Sequence, residues 1–266
     1  MPNIIAIQSA DDPRLEPYRS IRERDLAGRE GLFVAEGRVV LEKAIGHDPA
    51  GIVSVLVAEH RLAGLSDLLT SLPVDTPVYA AAQGAMDQVV GFPIHRGILA
   101  MVKRQVLDAE SLIATLPARA LVVGLIGIAN HDNMGGILRN AAAFGVQAVL
   151  VDETCCDHLY RKAIRVSVGA ALTLPVARVK NAAAMIDLLT AVGFEVLALS
   201  PGGAEDLLDV AAGPRTAILM GAEGPGLPDT VLALARTVRI TMAGGFDSLN
   251  VGTTSGIVLH RLTSGR

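Results

Sequence analysis

The sequence predicts an α/β fold in two parts, each with helices packed on a sheet. Three observations lead to this prediction: strand-like and helix-like segments alternate, the second half opens on the apolar run ALVVGLIGIA, and the chain has 266 residues. Such alternation is typical of helices packed on a sheet, and an unbroken apolar run is typical of a parallel strand buried on both faces. A chain of this length suits two ordinary domains better than one.

The first part alternates short strands and helices. Its helical patterns are AEGRVVLEKAIG, LAGLSDLLTSL and QGAMDQVVG, and its strand patterns are IVSVLVA, PVYAA and GILAMVK. A segment of mixed charge at 104–118 contains Pro117 near its end, as suits a short linker helix. We therefore expect an N-terminal α/β domain at 1–105, a linker at 106–118 and a C-terminal domain at 119–266.

The second part predicts a mostly parallel sheet. Its expected strands are RALVVGLIGI, AVLVDE, EVLALS, RTAILMG and TVRITM, and its expected helices are residues 134–144, HLYRKAIRVS, NAAAMIDLLTAVG, LPDTVLALA and the segment that follows SLNVG. In open parallel sheets, ligands bind beyond the carboxyl ends of the strands. We therefore expect the chemistry in the loops after GI, LALS, ILMG and RITM.

Composition and the two cysteines exclude several classes of protein. Hydrophobic residues make up 51% of the chain, yet the longest clean apolar run falls well short of the roughly 18 residues of a membrane span. The N-terminus has no basic region followed by an apolar one, so we expect a cytoplasmic protein without a membrane partner. Cys155 and Cys156 are adjacent, which provides neither a disulfide framework nor the spacing of a metal site, so we expect no metal.

Charge argues against a protein that holds nucleic acid by bulk electrostatics, because the net charge is -4. Aromatic residues are 3% of the chain and tryptophan is absent, so stacking platforms for single strands are not expected. A local arginine cluster consists of Arg14, Arg19, Arg22, Arg24 and Arg29, interleaved with Glu16, Glu23 and Asp25. It predicts either a salt-bridged, solvated helix or a local patch for phosphates.

The loop IANHDNMGGILRNAAAFG follows the first buried strand. Asn133 has a side chain suited to capping the helix, and Gly135 and Gly136 permit close backbone approach. Arg139 follows Asn133 by six residues, less than two helical turns, so it can reach back toward the strand ends. A capped helix with a surface arginine is the simpler interpretation of the same residues.

Two further loops are rich in glycine and polar residues. In ILMGAEGPGLP, Gly221, Gly224 and Gly226 surround Glu223 directly after a strand, a pattern that lacks the lysine of a Walker loop and the GxGxxG of a dinucleotide site. In ITMAGGFDSLNVG, Ser248 and Asn250 stand before an apolar helix, where both residue types can serve as caps.

Together these three loops resemble the motifs of the SpoU (TrmH) family of S-adenosylmethionine-dependent RNA ribose 2′-O-methyltransferases, in the SPOUT superfamily. The first motif is matched by Asn133, Arg139 and Phe144-Gly145, the second by Gly221 to Gly226, and the third by Ile240, Met242 and Ser248 to Val251. The N-terminal part also resembles the accessory RNA-binding domain of this family, which is similar to kink-turn-binding ribosomal proteins. After SLNV the family has serine and small residues, whereas this chain has Gly252-Thr253-Thr254, which predicts a looser start of the last helix.

The resemblance implies a fold, a reaction and a set of site residues. The C-terminal domain would be an α/β knot, a deep trefoil knot that departs from the usual rule of unknotted folds, and would form a homodimer. Its substrate would be structured RNA, with rRNA favoured over tRNA. The catalytic residues would be Arg139, Asn133, Glu223, Ser248 and Asn250, and S-adenosylmethionine would contact Leu199, Ser200, Gly221, Gly224, Ile240, Met242 and Leu249. The segment RVSVGAAL, with Arg165 and Ser167, would contact RNA or the second subunit.

The reaction that the resemblance implies needs positioning more than activation, because S-adenosylmethionine already carries its methyl group on a sulfonium. Arginine stays protonated in proteins, so we expect Arg139 to clamp a phosphate and orient the hydroxyl. Water, a phosphate or a transiently deprotonated arginine remain as proton acceptors. The alternative function is a non-catalytic RNA-binding dimer with the same fold, and a Rossmann-type nucleotide enzyme lacks its fingerprint.

Overall fold

The computed structural model describes residues 2–19, 21, 31–244 and 248–264. These residues form two compact units, Met1–Gln105 with Leu159–Thr173, and Val106–His158 with Leu174–Arg266. No pattern in the sequence indicated that Leu159–Thr173 groups with the first unit. The domain boundaries given above stay a prediction.

The first unit contains a five-stranded mixed sheet. Its strands are β1 (Asn3–Ile7), β2 (Leu32–Glu36), β3 (Ile52–Ala58), β4 (Pro77–Ala81) and β5 (Ile98–Lys103), in the order β1-β4-β3-β5-β2. β4 is parallel to β1 and β3, whereas β5 is antiparallel to β2 and β3. One core of this unit gathers around the fully buried Leu15, Tyr18 and Leu99, and the hydroxyl of Tyr18 lies 2.7 Å from Ser54 Oγ.

The second unit contains a seven-stranded sheet in which every pairing is parallel. Its strands are β6 (Ala120–Leu125), β7 (Ala148–Asp152), β8 (Val176–Val179), β9 (Glu195–Leu199), β10 (Glu205–Asp206), β11 (Arg215–Met220) and β12 (Arg236–Arg239), in the order β10-β12-β9-β11-β6-β7-β8. The predicted α/β fold with a mostly parallel sheet is therefore confirmed for this part.

The helices are, in chain order, α1 (Arg38–His47), α2 (Ser66–Leu69), α3 (Gln83–Val90), α4 (Ala109–Ala114), α5 (His131–Ala143), α6 (Arg161–Val166), α7 (Ala170–Thr173), α8 (Ala182–Ala191), α9 (Asp229–Leu232) and α10 (Val251–Thr263). Side-chain caps fix the first turns of α4, α8 and α10. Asp108, Asn181 and Asn250 each accept a hydrogen bond from the backbone N–H three residues later in the chain. Short 3-10 helices span Pro13–Tyr18, Pro49–Gly51 and Glu59–Leu65.

The sheet of the second unit is buried on both faces. Helices α4, α8 and α9 share one apolar cluster with alternate residues of the strands, among them Val122 and Leu219. The intervening residues, such as Leu121 and Ile218, are also fully buried and point to the opposite face. Helices α5 and α10 pack against each other.

The structure differs from the sequence predictions in several element boundaries. The helix predicted from Ala35 begins at Arg38, because Gly37 has a φ of 94°, outside the helical region. The strand predicted through Met242 ends at Arg239. β1, β2, β8 and β10 were not predicted as strands, and LAGLSDLLTSL forms a 3-10 turn and the short α2 instead of one helix.

The arginine cluster near the N-terminus is described in part. Arg14 forms an ion pair with Asp12, and the Nε of Arg19 lies 2.8 Å from Glu16 Oε2. These two arginines fit the salt-bridged interpretation. Arg22, Arg24 and Arg29, together with Glu23 and Asp25, lie outside the described residues, as do residues 245–247 of the loop before Ser248.

Candidate active site

One cavity lies at the carboxyl ends of three neighbouring strands, β12, β9 and β11. It measures about 560 Å³ and takes its walls from the loops that follow these strands and from the start of α10. All seven residues predicted to contact the methyl donor line it: Leu199, Ser200, Gly221, Gly224, Ile240, Met242 and Leu249. Parallel strands bring these residues together because their carboxyl ends meet at one edge of the sheet.

The loop after β11 is a tight backbone turn that forms one wall of this cavity. The N–H of Gly226 donates to the carbonyl of Ala222 at 3.0 Å. A Cβ at Gly221 would lie 2.3 Å from the carbonyl carbon of Gly226, so only glycine fits there. Gly224 and Gly226 have φ values of 87° and 68°, in the region that favours glycine. Because these three positions are glycines, backbone atoms border the cavity here. Side chains at the same positions would occupy part of it.

Asn250 connects three parts of the site. Its Nδ2 donates to Asn133 Oδ1 at 2.8 Å and to Glu223 Oε1 at 2.9 Å, and its Oδ1 accepts from the N–H of Thr253 at 3.1 Å. The side chain thereby caps α10 and holds the first turn of α5 and the loop after β11. The structure thus brings together three of the predicted catalytic residues, although they come from three separate motifs.

Asn133 does not cap α5, which corrects the role suggested by its sequence position. The helix begins three residues earlier than predicted, and Asn130 Oδ1 accepts from the N–H of Asp132 as its cap. Asn133 therefore lies in the first helical turn, buried, with its side chain turned toward Asn250.

Arg139 lies on the exposed side of α5, and among the described residues its side chain has no hydrogen bond or ion pair. It is absent from the cavity lining. Six residues of helix separate it from Asn133 by about 9 Å. The guanidinium is therefore available to an external anion, since no carboxylate in the described part of the chain pairs with it.

Asn140 is a site residue that the sequence analysis missed. Its Nδ2 donates to the carbonyl of Gly252 at 2.8 Å and to Ser255 Oγ at 2.9 Å, which joins α5 to α10. A Cβ at Gly136 would lie 3.9 Å from the Cα of Gly252, so the two helices approach closely there. The run Gly252-Thr253-Thr254 thus begins a capped helix that packs directly on α5, where a looser start was predicted.

Ser248 lines the cavity and is exposed, and it does not cap α10. Of the two polar residues before the last helix, Asn250 has the capping role. The hydroxyl of Ser248 has no partner among the described residues, so it is free to bind a ligand in the cavity.

The loop after β6, which was also expected to contribute chemistry, lines a different cavity of about 630 Å³. Its Gly127 N–H donates to Asp152 Oδ1 at 3.2 Å, and that carboxylate also accepts from Thr154 and Cys155. Asp152 therefore organises the local backbone.

Ser167, which was expected to contact RNA or a second subunit, is buried. Its hydroxyl donates to the carbonyl of Ile164 and accepts from the N–H of Ala171.

The cysteine pair lies beside these loops as free thiols. Burial raises the pKa of Cys155 to about 12 and that of Cys156 to about 11. Cys155 Sγ also accepts from the N–H of Ile128 at 3.3 Å. Within the part of the chain that the structure describes, no three His, Cys, Asp or Glu side chains are arranged to hold a metal ion.

Comparison with known sequences matches the second part of the chain to a family. The SpoU rRNA Methylase family matches residues 120–260. An uncharacterized tRNA/rRNA methyltransferase of Mycobacterium bovis is 36% identical over 95% of this chain and 89% of its own length. A 23S rRNA (guanosine-2′-O-)-methyltransferase RlmB of Photobacterium profundum is 31% identical over 82% of this chain and 92% of its own length.

Solved structures share the fold. The SpoU methyltransferase AviRb of Streptomyces viridochromogenes, in complex with AdoMet, is 23% identical with a TM-score of 0.81, over 96% of this chain and 100% of the other. An AdoMet-bound rRNA methyltransferase of Sinorhizobium meliloti is 21% identical with a TM-score of 0.82, over 97% of both chains. At these identities the likeness concerns the fold.

Proposed function

The chain belongs to the SpoU rRNA methylase family, and from this membership we propose that it methylates the 2′-hydroxyl of a ribose in structured RNA with S-adenosylmethionine as donor. The observation that carries the proposal is that Asn250 donates to both Asn133 and Glu223, and that Glu223 lines the cavity. We favour rRNA over tRNA because relatives such as the RlmB of Photobacterium profundum are named for 23S rRNA.

The cavity fits S-adenosylmethionine in size and chemistry. Its walls combine apolar side chains, such as Leu199, Ile240 and Met242, with the backbone of the glycine-rich loop. Small-molecule sites of this kind measure about 300 to 1,000 Å³ and mix apolar walls with a few polar groups. A Cβ at Gly221 would strike the loop itself, so a side chain there would remodel this wall. When bound, S-adenosylmethionine supplies an activated methyl group on a sulfonium.

The protein side of the reaction is positioning. Asn250 fixes Asn133 and Glu223 in one orientation, which leaves the second carboxylate oxygen of Glu223 available to a ribose hydroxyl. Arg139 is exposed and carries a planar guanidinium, so it binds a phosphate next to the target ribose and orients the hydroxyl. Ser248 adds a hydroxyl at the cavity wall. Orienting the two reactants in this way lowers the entropic part of the barrier.

The finer predictions about architecture form part of this proposal. They are the trefoil knot at 119–266, the RNA-binding domain at 1–105 with its linker at 106–118, the homodimer and a cytoplasmic location. A homodimer is supported by exposed apolar side chains beside α10, since Leu208 and Ile257 border a cavity of about 570 Å³ there. No helix among the described residues is long and apolar enough to cross a bilayer.

The proposal is tested with the purified full chain in two assays. Calorimetry measures binding of S-adenosylmethionine with and without RNA, and transfer of a labelled methyl group to 23S rRNA or tRNA is followed by nucleoside mass spectrometry. We expect binding, and a 2′-O-methylated nucleoside from rRNA. RNA binding without any cofactor binding would favour the non-catalytic dimer instead, and a base-methylated product would contradict the reaction.

A further inference from the structure

The first unit brings three arginines that are distant in sequence to one edge of its sheet. β2 ends at Glu36, β3 ends at Ala58 and the antiparallel β5 begins at Ile98, so all three termini meet. The N–H of Gly37 donates to the carbonyl of Ile98 at 3.0 Å, and the N–H of Ala58 donates to the carbonyl of Gly97 at 2.8 Å. Arg38, Arg61 and Arg96, which we call the arginine triad, flank this junction.

Glycines at the junction allow the arginines to lie against the backbone. Gly37 has a φ of 94°, and a Cβ there would lie 2.8 Å from Arg96 Nη1. A Cβ at Gly97 would lie 3.5 Å from Arg61 Cγ. Arg38 follows Gly37 directly, and its Nη1 donates to the carbonyl of Gly64 at 2.6 Å. The three arginine side chains therefore extend from one edge of this sheet.

The charges of the triad are not neutralised within the described residues. The nearby buried carboxylate of Glu36 is engaged by Arg161, whose Nη1 lies 2.6 Å from its Oε2 and whose guanidinium stacks 4.6 Å from the Phe92 ring centroid. Asp87 accepts from Gln83 Nε2 and from the N–H of Ile94. The exposed Glu59 forms no ion pair with the triad, and all three arginines are themselves exposed.

We propose that the arginine triad binds backbone phosphates of the RNA substrate, an inference that rests on the proposed function. Like charges along one edge of a sheet repel one another, and a bound anion lowers this cost. Guanidinium groups match phosphate oxygens in geometry, and phosphate contacts position a folded RNA without reading its sequence. Arg14 and Arg19, which the sequence pattern singled out, are ion-paired and therefore less available.

The test compares RNA binding by the full-length wild type with that of the Arg61→Ala/Arg96→Ala double variant. The probe is transcribed 23S rRNA, titrated at several salt concentrations. We expect the double variant to bind roughly tenfold more weakly, with its log-log salt slope reduced by about 1.5, since each neutralised phosphate contributes about 0.7 to 0.9. Arg61→Lys/Arg96→Lys should retain most of the slope. Lys103→Ala, at the opposite end of β5, is the matched control and should bind as the wild type does.

Three further measurements, of cofactor affinity, circular dichroism and polyglutamate binding, separate this inference from the proposed function. S-adenosylmethionine affinity should be the same in all variants; absence of cofactor binding by the wild type would instead count against the proposed function. An unchanged RNA affinity and salt slope in the Ala variant, with circular dichroism matching the wild type, would overturn the inference. The wild type is also titrated with polyglutamate. If it binds polyglutamate more tightly than RNA, and the Ala variant loses this binding, the triad binds an acidic protein and the inference is overturned as well.

Discussion

Asn250 Nδ2 lies 2.8 Å from Asn133 Oδ1, although 117 residues separate the two asparagines. The orientation of the Asn250 amide follows from its surroundings, because its oxygen accepts from the N–H of Thr253 and its nitrogen must then donate. That nitrogen also reaches Glu223 Oε1 at 2.9 Å. One side chain therefore joins the start of the last helix to two other motifs.

Asn250→Asp separates the two roles of this residue. Aspartate caps a helix as well as asparagine does, so α10 should remain, but it has no N–H to donate and would place a second carboxylate beside Glu223. We expect methyl transfer to fall at least tenfold with a small change in melting temperature. Asn250→Ala should lose the cap as well, at about 1 kcal/mol. Thermal unfolding and kcat/KM measure the two effects, and wild-type activity in the Asp variant would show that the donors are dispensable.

Arg139→Ala should abolish methyl transfer and leave the affinity for S-adenosylmethionine within a few-fold. The side chain is exposed and does not line the cavity, so its expected partners are the RNA phosphate and hydroxyl. Arg139→Lys, which keeps the charge but not the planar fork, should recover part of the activity. Calorimetry and single-turnover methylation give the two readouts. An equal loss of cofactor binding would place Arg139 at the cofactor instead.

Gly221→Ala should weaken cofactor binding strongly and lower stability. Its Cβ would lie 2.3 Å from the carbonyl carbon of Gly226, so the loop must move, at an expected cost of about 1 to 3 kcal/mol. Gly84→Ala is the matched control, because a Cβ at this position in α3 meets nothing within 4 Å. It should be neutral or raise stability by up to about 1 kcal/mol. Denaturant unfolding and calorimetry test both variants. Normal cofactor affinity in Gly221→Ala would contradict the assignment of this loop as a wall of the cofactor cavity.

Ile257→Glu should convert a dimer to a monomer. Ile257 is 40% exposed on α10 beside the exposed Leu208, and a charge inside an apolar interface is costly to bury. Sedimentation equilibrium at micromolar concentration should find a dimer for the wild type and a monomer for the variant. Val74→Glu, at an exposed apolar residue of the first unit, is the control and should remain dimeric. A monomeric wild type would contradict the homodimer.

The buried thiol of Cys155 should resist alkylation at pH 8 in the folded protein. Burial raises the pKa of Cys155 to about 12 from an ordinary value near 9, so the reactive thiolate is scarce. Because the unfolded chain ionises first as the pH rises, the contribution of this thiol to stability is complete below about pH 9 and is lost between about 9 and 12. Iodoacetamide labelling with and without urea, read at Cys155 by peptide mass spectrometry, tests this; fast labelling of Cys155 in the native protein would contradict it. Cys155→Ser should flatten the alkaline loss of stability.

The cavity was predictable because it depends on strand ends. Gly221, Ile240 and Leu249 could be assigned to one site from the sequence, since loops that follow parallel strands meet at one edge of a sheet. Their contacts with one another were not predictable. The role of Asn133 changed because a cap three residues earlier moved the start of α5 and turned the side chain inward.

The sequence by itself determined the α/β class and the parallel character of the second sheet, because periodicity and loop composition are local properties. Through the resemblance of its three motifs to a known family, it also indicated the residues around the cavity. Only the tertiary structure decided which polar groups meet. Asn250 has three suitable partners because two other motifs come within 3 Å of it, and Arg61 and Arg96 share a surface because glycines bring the ends of separate strands together. Contacts of this kind depend on how distant segments pack, and nothing in their local sequence encodes the distance between them.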